Sequence, residues 1–371
     1  MKNIIFIFGT RPEIIKLAPV ILELKKYPEL YNVLICNTEQ QKELSNQTLN
    51  YFGLKADINL DCMRENQSLS ELQSRMMKAL NAVFKNNNID ATIVQGDTMT
   101  VFCGALASFY NKIPVFHIEA GLRSYDLFEP YPEEAIRQMV SRIASLHFTP
   151  TEINKKALLK EDISENKIKV VGNTVIDALF CLSKDTIENS KQFFIKENIP
   201  IDDKMVLITA HRRENHGERI NNIIKAISTL ATKYNDHHFI IPVHPNPNVK
   251  NKIYENLSKF NNIYLLKPLD YPHLVYIMKN AKLILTDSGG IQEEAPTFAC
   301  PTLVMRYETE RKEGIERGAS KLVGADYDKI IMECDNILSL DKNKTRLMIK
   351  NPYGDGTSSI QIESIIRKFN Y

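Results

Sequence analysis

Short apolar runs alternate along this chain with stretches in which apolar residues recur every three or four positions. Runs at 4–8, 32–36, 91–94, 115–118, 146–149 and 169–171 read as buried strands, and a second series follows at 205–209, 239–243, 263–265, 283–286 and 302–305. Helical periodicity lies between them, for example at 14–26, 70–84, 133–145 and 221–233. The strands are apolar throughout instead of alternating, so both faces of each sheet are covered, as in parallel sheets flanked by helices. Two such series predict two doubly wound α/β domains. The boundary is placed at Gly172-Asn173-Thr174, giving domains at 1–171 and 172–350, with 184–203 as a helix and loop beyond it. Residues 351–371, beginning Asn351-Pro-Tyr-Gly-Asp-Gly356, read as a turn and a last helix.

Composition narrows the function without choosing it. The chain has 371 residues, 43% hydrophobic and 25% charged, with a formal net charge of +2. That is an ordinary globular balance with room for two cores. Basic residues are dispersed, which argues against nucleic acid or a membrane surface as partner. The six cysteines show no zinc-like or redox-like spacing and read as reduced. The start of the chain lacks a signal-peptide pattern, and no apolar run nears the roughly 18 residues that span a bilayer. A soluble, cytoplasmic protein is the expectation.

The chemistry collects at the carboxyl ends of the expected strands, where open α/β sheets bind ligands. The 4–8 run ends in Gly9-Thr-Arg11-Pro-Glu13, with Lys16 one turn on; 91–94 ends in Gln95-Gly96-Asp97-Thr98; 115–118 carries His117 and ends in Glu119. In the second half, 205–209 ends in Ala210-His211-Arg212, 239–243 in His244, and 283–286 in Asp287-Ser288-Gly289-Gly290. The last of these is a strand, a glycine turn and a helix start, an arrangement suited to an anion. Glu293 and Glu294 are expected in the first turn of that helix, favouring its dipole, with one able to accept from sugar hydroxyls. Arg11, Lys16, Arg137, His211 and Arg311 supply charge for a diphosphate. Asp97, Glu119 and Glu133 supply carboxylates for acid–base work on the rest of the ligand. A nucleotide sugar in one cleft between two domains fits both sets. Structural roles compete at several positions: Asp97 stands where a helix N-cap would, Glu133 where it favours a helix dipole, and His117, His211 and His244 where histidines settle in cores. No His-x-x-x-His or similar spacing points to a metal.

Longer motifs add a resemblance. Gly9-Thr-Arg-Pro-Glu-Ile-Ile-Lys16, Gly96-Asp-Thr98, His117-Ile-Glu-Ala-Gly-Leu-Arg123, Pro132-Glu-Glu134 with Arg137, and Gly172-Asn-Thr-Val-Ile-Asp-Ala178 stand in the first half. Thr209-Ala-His-Arg-Arg-Glu-Asn215, Asp287-Ser-Gly-Gly-Ile-Gln-Glu-Glu-Ala-Pro296, Thr309-Glu-Arg311 and the 351–356 segment stand in the second. Together they resemble bacterial UDP-N-acetylglucosamine 2-epimerases, of the non-hydrolysing type, across essentially the whole chain. The resemblance implies a glycosyltransferase-B-like pair of Rossmann-like domains facing a central cleft, a last helix returning to the first domain, a homodimer, and neither metal nor redox cofactor. It implies interconversion of UDP-N-acetylglucosamine and UDP-N-acetylmannosamine for surface polysaccharide precursors. The C2 proton is removed, UDP leaves C1, and UDP adds back to the 2-acetamidoglucal with reprotonation on the other face. It further implies Asp97, Glu119 and Glu133 as acid–base groups, and His211 as a catalytic residue that would hold sugar or diphosphate. Arg11, Lys16, Arg137, Ser288, Gly289 and Gly290 would hold sugar or diphosphate, Glu294 the ribose, and Arg311 the site's edge.

Some positions depart from the family pattern. Gln41 stands where histidine is usual, and Glu43 and Asn66 where some members have glutamine and arginine for a second, allosteric nucleotide-sugar site. Lys312 replaces a proline, and Pro245 a leucine. A hydrolysing 2-epimerase, which releases N-acetylmannosamine and UDP, is the near alternative. A nucleotide-sugar glycosyltransferase is the alternative from another class, since fold does not fix function.

Overall fold

The structure is a computed structural model and describes residues 1–215, 217–346 and 350–371. It divides into two compact units, Met1–Cys181 with Tyr353–Tyr371, and Leu182–Pro352. The helix Thr174–Cys181 stays with the first unit, packed on the first helix (Arg11–Leu24).

The first unit is built on seven parallel strands: β1 (Lys2–Phe8), β2 (Tyr31–Asn37), β3 (Ile58–Asn59), β4 (Ala91–Gln95), β5 (Val115–Ile118), β6 (Leu146–Thr149) and β7 (Ile168–Val170), in the order β3-β2-β1-β4-β5-β6-β7. Its centre is apolar on both faces: Ile4 to Phe8 are all buried, as are Ile93, Val94 and Phe116. The second unit has six: β8 (Met205–Thr209), β9 (His238–Pro242), β10 (Ile263–Leu266), β11 (Leu283–Thr286), β12 (Thr302–Val304) and β13 (Lys321–Leu322), in the order β10-β9-β8-β11-β12-β13. Both sheets therefore follow the 3-2-1-4-5-6 Rossmann order, which reverses direction between β1 and β4 in one and between β8 and β11 in the other. Ligands of such sheets bind at those reversals, beyond the carboxyl ends of the strands.

The alternation of elements is as the apolar pattern predicts. Two short edge strands, β3 and β13, lie outside that prediction; at two residues each they are too short to leave a periodic signal.

One buried carboxylate organises a key junction in each unit. Asp177, 2% exposed, accepts from the Ser359 N–H and hydroxyl, both at 2.7 Å, and from the Ser358 N–H at 3.3 Å. It thereby caps the last helix (Ser358–Arg367) from a distant helix. Asp287, fully buried just past β11, accepts from the His211 and Arg212 N–H groups at 2.9 Å each, from Asn215 Nδ2 at 3.0 Å, and from His211 Nδ1 at 3.0 Å. Burial alone would raise its pKa, but these donors outweigh it and hold the carboxyl below its ordinary value.

Two stability predictions follow from these hubs. Asp177→Ala orphans two helix N–H groups and is expected to cost the first unit about 2–3 kcal/mol. Hydrogen exchange should then accelerate across 358–367 while the second unit is unchanged. Asp287 binds its proton more weakly folded than unfolded, so its stabilisation is fully present above the ordinary carboxyl value and is lost as pH falls from there through the lower folded-state value. Asp287→Asn should therefore be less stable than the parent at pH 7, with the gap closing below about pH 4 in paired urea titrations.

Candidate active site

At the carboxyl ends of β4 and β5 the chain must turn sharply and still present carboxylates. Gly96 adopts φ +84°, which only glycine accepts cheaply, so that Asp97 can leave β4 at an angle. Asp97 is then gripped by Arg137 from the helix Glu133–Ile143, with Nε at 2.8 Å and Nη2 at 2.6 Å. The helix cap itself is Thr98, whose hydroxyl accepts from the Val101 N–H at 3.4 Å. Asp97 is thus freed from the capping role that its position suggested.

Glu119 follows β5 with φ +63°, an uncommon conformation for a non-glycine residue. Lys16 from the first helix pairs with Oε1, Gln95 donates to Oε2, and Asn173 Nδ2 donates to Oε1 at 3.3 Å. An atom added at Gly96 as a Cβ would stand 3.8 Å from Glu119 Oε2, so the β4 turn and the Glu119 carboxylate are neighbours. Lys16, expected to hold sugar or diphosphate, pairs here with Glu119.

Two consecutive glutamates open the Glu133–Ile143 helix, and they point differently. Glu133 has a buried Oε2 with no hydrogen-bond partner. Glu134 is fully buried and accepts from the Ser124 and Tyr125 N–H groups at 3.0 and 3.2 Å, from Arg137 Nη1 at 3.1 Å and from Gln138 at 3.0 Å. Burial would raise the pKa of Glu134, but these donors bring it below the usual value. Sequence reasoning passed over Glu134 because its neighbour took the chemical role. The signal available was the three-residue spacing to Arg137, which puts both on one helix face.

The start of the first helix carries Arg11. Its N–H donates to Gln41 Oε1 at 3.0 Å, while the Gln41 N–H donates to the Gly9 carbonyl at 2.7 Å. Gln41, one of the departures from the family pattern, therefore straps the β2 loop to the helix that presents Arg11. Arg11 itself makes no ion pair among the described residues and is half-buried. Glu13 in the same turn is buried and accepts from Gly9 and Thr10. Burial pushes its pKa up.

In the second unit, the loops after β8 and β11 are joined by Asp287, as described above. His211 is 35% exposed on its side chain, and its ring stacks on His244 with centroids 5.8 Å apart. Asp287 bonds His211 Nδ1, which leaves Nε2 to face a ligand. After β11, Ser288, Gly289 and Gly290 start a short helix, Gly289–Glu294. Open space surrounds Gly290, whose added Cβ would meet only Ser288 Oγ at 4.0 Å, whereas one on Gly289 would stand 2.9 Å from the Arg311 guanidinium carbon. The second unit thus sets first-turn N–H groups and a guanidinium side by side. Arg311 Nε donates to Glu293 Oε1 at 3.0 Å.

Glu293 and Glu294 require a correction. The helix begins at Gly289 and gives way to a 3-10 turn at Ala295–Phe298 containing Pro296, so both glutamates lie at its end and not in its first turn. Their value is local: both are buried, Glu293 against Arg311, and Glu294 beside it.

Sequence reasoning also missed a basic group around these loops. Arg306 pairs with Glu214 at 2.5 Å and with Glu310 at 3.0 Å. Arg212 has a buried Nε without a partner, and its pKa is lowered by burial and by Arg306 and Arg311. Burial opposes ionisation of Glu310, yet Arg306 and Arg311 bring its carboxyl down to about 2. Arg306 follows β12 in an otherwise apolar context, Met305-Arg306-Tyr307, so it carried no motif of its own.

Comparison with known proteins shows the family. The family model described as UDP-N-acetylglucosamine 2-epimerase matches residues 23–367. A UDP-N-acetylglucosamine 2-epimerase from Neisseria meningitidis is 45% identical, over 98% of this chain and 99% of its own length. One from Bacillus subtilis is 41% identical, over 100% of this chain and 96% of its own. The crystal structure of UDP-GlcNAc 2-epimerase from Neisseria meningitidis bound to UDP-GlcNAc matches with a TM-score of 0.88 at 44% identity, covering 99% of this chain and 100% of that one. With two parallel sheets of the glycosyltransferase-B kind and matches of this extent, the chain belongs to the UDP-N-acetylglucosamine 2-epimerase family.

Proposed function

We propose that this protein interconverts UDP-N-acetylglucosamine and UDP-N-acetylmannosamine by elimination and re-addition of UDP. The second unit's residues take the nucleotide and the first unit's the sugar. The observation that carries the reading is the pair of carboxylates at adjacent strand ends, Asp97 and Glu119, each gripped by its own cation. Glu133 on the neighbouring helix adds a buried oxygen without a partner.

The reaction needs two things at once. A base must take the proton from C2, a very weak acid, and the C1–O bond must break with its electron pair leaving on UDP. Carboxylates on both faces of C2 let one accept the proton and another return one to the opposite face, which inverts the centre. Preorganised donors lower the barrier to departure of the diphosphate. His211 Nε2, the first-turn N–H groups at Gly289 and Gly290, and Arg11 and Arg311 are suited to that role. Glu294 would accept from the ribose hydroxyls. One proton is lost and one is gained at C2, and the diphosphate that leaves C1 adds back, so no oxidant or reductant is consumed. We place the enzyme in the cytoplasm as a homodimer supplying precursors of surface polysaccharide; in support, no helix of the described residues is long and apolar enough to cross a membrane.

The decisive experiment is incubation with UDP-N-acetylglucosamine in deuterated water, followed by NMR. Deuterium at C2 in a mixture of both UDP-sugars is the expected result. Free N-acetylmannosamine with stoichiometric UDP would replace this reading with the hydrolysing enzyme, and absence of exchange would remove epimerisation altogether. In the same assay Asp97→Asn should slow C2 exchange by about 10²–10⁴-fold, with UDP affinity, measured calorimetrically, close to the parent's.

A further inference from the structure

His117 is the least explained titratable group near the acid–base cluster. It lies on β5, two residues before Glu119, and is 1% exposed. Burial is the largest influence on its ring and brings its pKa down to about 4, so it is neutral at working pH. A neutral, enclosed ring neither reaches substrate nor exchanges protons with it. Its neighbour in register on β6, His147, is also fully buried, and burial lowers that pKa to about 3.

What His117 does touch is a backbone carbonyl. Nε2 lies 2.8 Å from the Gly96 oxygen. A carbonyl only accepts, so Nε2 carries the ring proton and Nδ1 is the bare nitrogen. Among the described residues that buried Nδ1 has no partner, and the ring's polar contact is the one at Nε2. The contact has leverage because the Gly96 carbonyl and the Asp97 N–H belong to one planar peptide unit. The other side of Gly96 is pinned as well, by its N–H to the Ile118 carbonyl at 3.1 Å. β5 thus grips the turn at both ends, between Gln95, which donates to Glu119, and Asp97, which receives Arg137.

We infer that His117 is a positioning residue: its Nε2–H holds the Gly96 carbonyl, and so sets the direction in which Asp97 leaves β4 relative to Glu119. The inference rests on the proposed epimerase reaction for its consequence in rate, but its structural content stands apart from it. Holding a turn at φ +84° by one neutral hydrogen bond gives orientation without adding charge beside the reacting carboxylates.

Two variants test it. His117→Phe keeps a ring of similar size and removes the donor. His117→Gln restores an amide donor at similar reach to Nε2. The rate of C2 deuterium exchange is expected to fall about tenfold or more in the Phe variant, with KM little changed, and to recover largely in the Gln variant. Amide hydrogen exchange across 95–98 should be faster in Phe and near the parent's in Gln. Equal impairment of both variants, in step with lost thermal stability, would reduce His117 to a packing residue and overturn the inference. So would a Phe variant with unchanged exchange across 95–98. A parent enzyme that binds UDP but exchanges no deuterium at C2 would defeat the proposed reaction alone, because the hydrogen-exchange contrast between Phe and Gln still decides the role of His117.

Discussion

A carboxylate removed from water costs several kilocalories unless donors replace the lost hydration. Glu119 meets that cost with Lys16, Gln95 and Asn173, and much of the first unit's polar architecture follows from it. Those three donors come from the first helix, the end of β4 and the segment after β7, so satisfying one side chain ties together elements far apart in sequence. The left-handed backbone at Glu119 is flanked by backbone hydrogen bonds, from the Gly96 N–H to Ile118 and from the Ala120 N–H to Phe148, as well as by those side-chain contacts. Asp97 and Glu134 repeat the solution with a shared arginine, which can serve both because its planar fork offers donors in two directions.

The same constraint shapes the second unit. There the buried charges are three arginines, Arg212, Arg306 and Arg311, set among three glutamates, Glu214, Glu293 and Glu310. Among the described residues, Asp287 pairs with no arginine side chain. Its carboxylate is spent on backbone N–H groups, Asn215 and His211, which fixes the loop and the imidazole in one act. In the proposed reaction, guanidinium groups beside first-turn N–H groups suit a diphosphate, and paired carboxylates suit proton transfer.

How much of this was legible in the sequence depends on range. The strands declared themselves because parallel sheets bury both faces, and the site's strand ends were legible because polar residues follow apolar runs abruptly, as at Gln95-Gly96-Asp97 and Thr286-Asp287-Ser288. Partner choice was not legible. Nothing near Lys16 announces Glu119, more than a hundred positions away, and nothing near Asp177 announces Ser359. Glu293 and Glu294 were misplaced within their helix because a glycine pair reads as the turn before a helix, whereas here the glycines are its first residues and Pro296 cuts it short. Helix boundaries of this kind are set by which N–H groups find partners, which periodicity does not record.

His117 shows why the distinction between charge and direction matters in such a site. A protonated imidazole beside Asp97 and Glu119 would pair with one of them and compete with Arg137 and Lys16 for the same oxygens. The fold avoids this by enclosing the ring, which removes its charge and leaves a single donor. That donor is directed at a carbonyl instead of a carboxylate, so it constrains geometry while leaving the acid–base balance to the paired residues. A carboxylate that is to accept and release a proton needs a fixed direction and an adjustable charge. Two separate partners, a neutral one beneath the turn and a cationic one at the side chain, meet those needs independently, which a single partner does not.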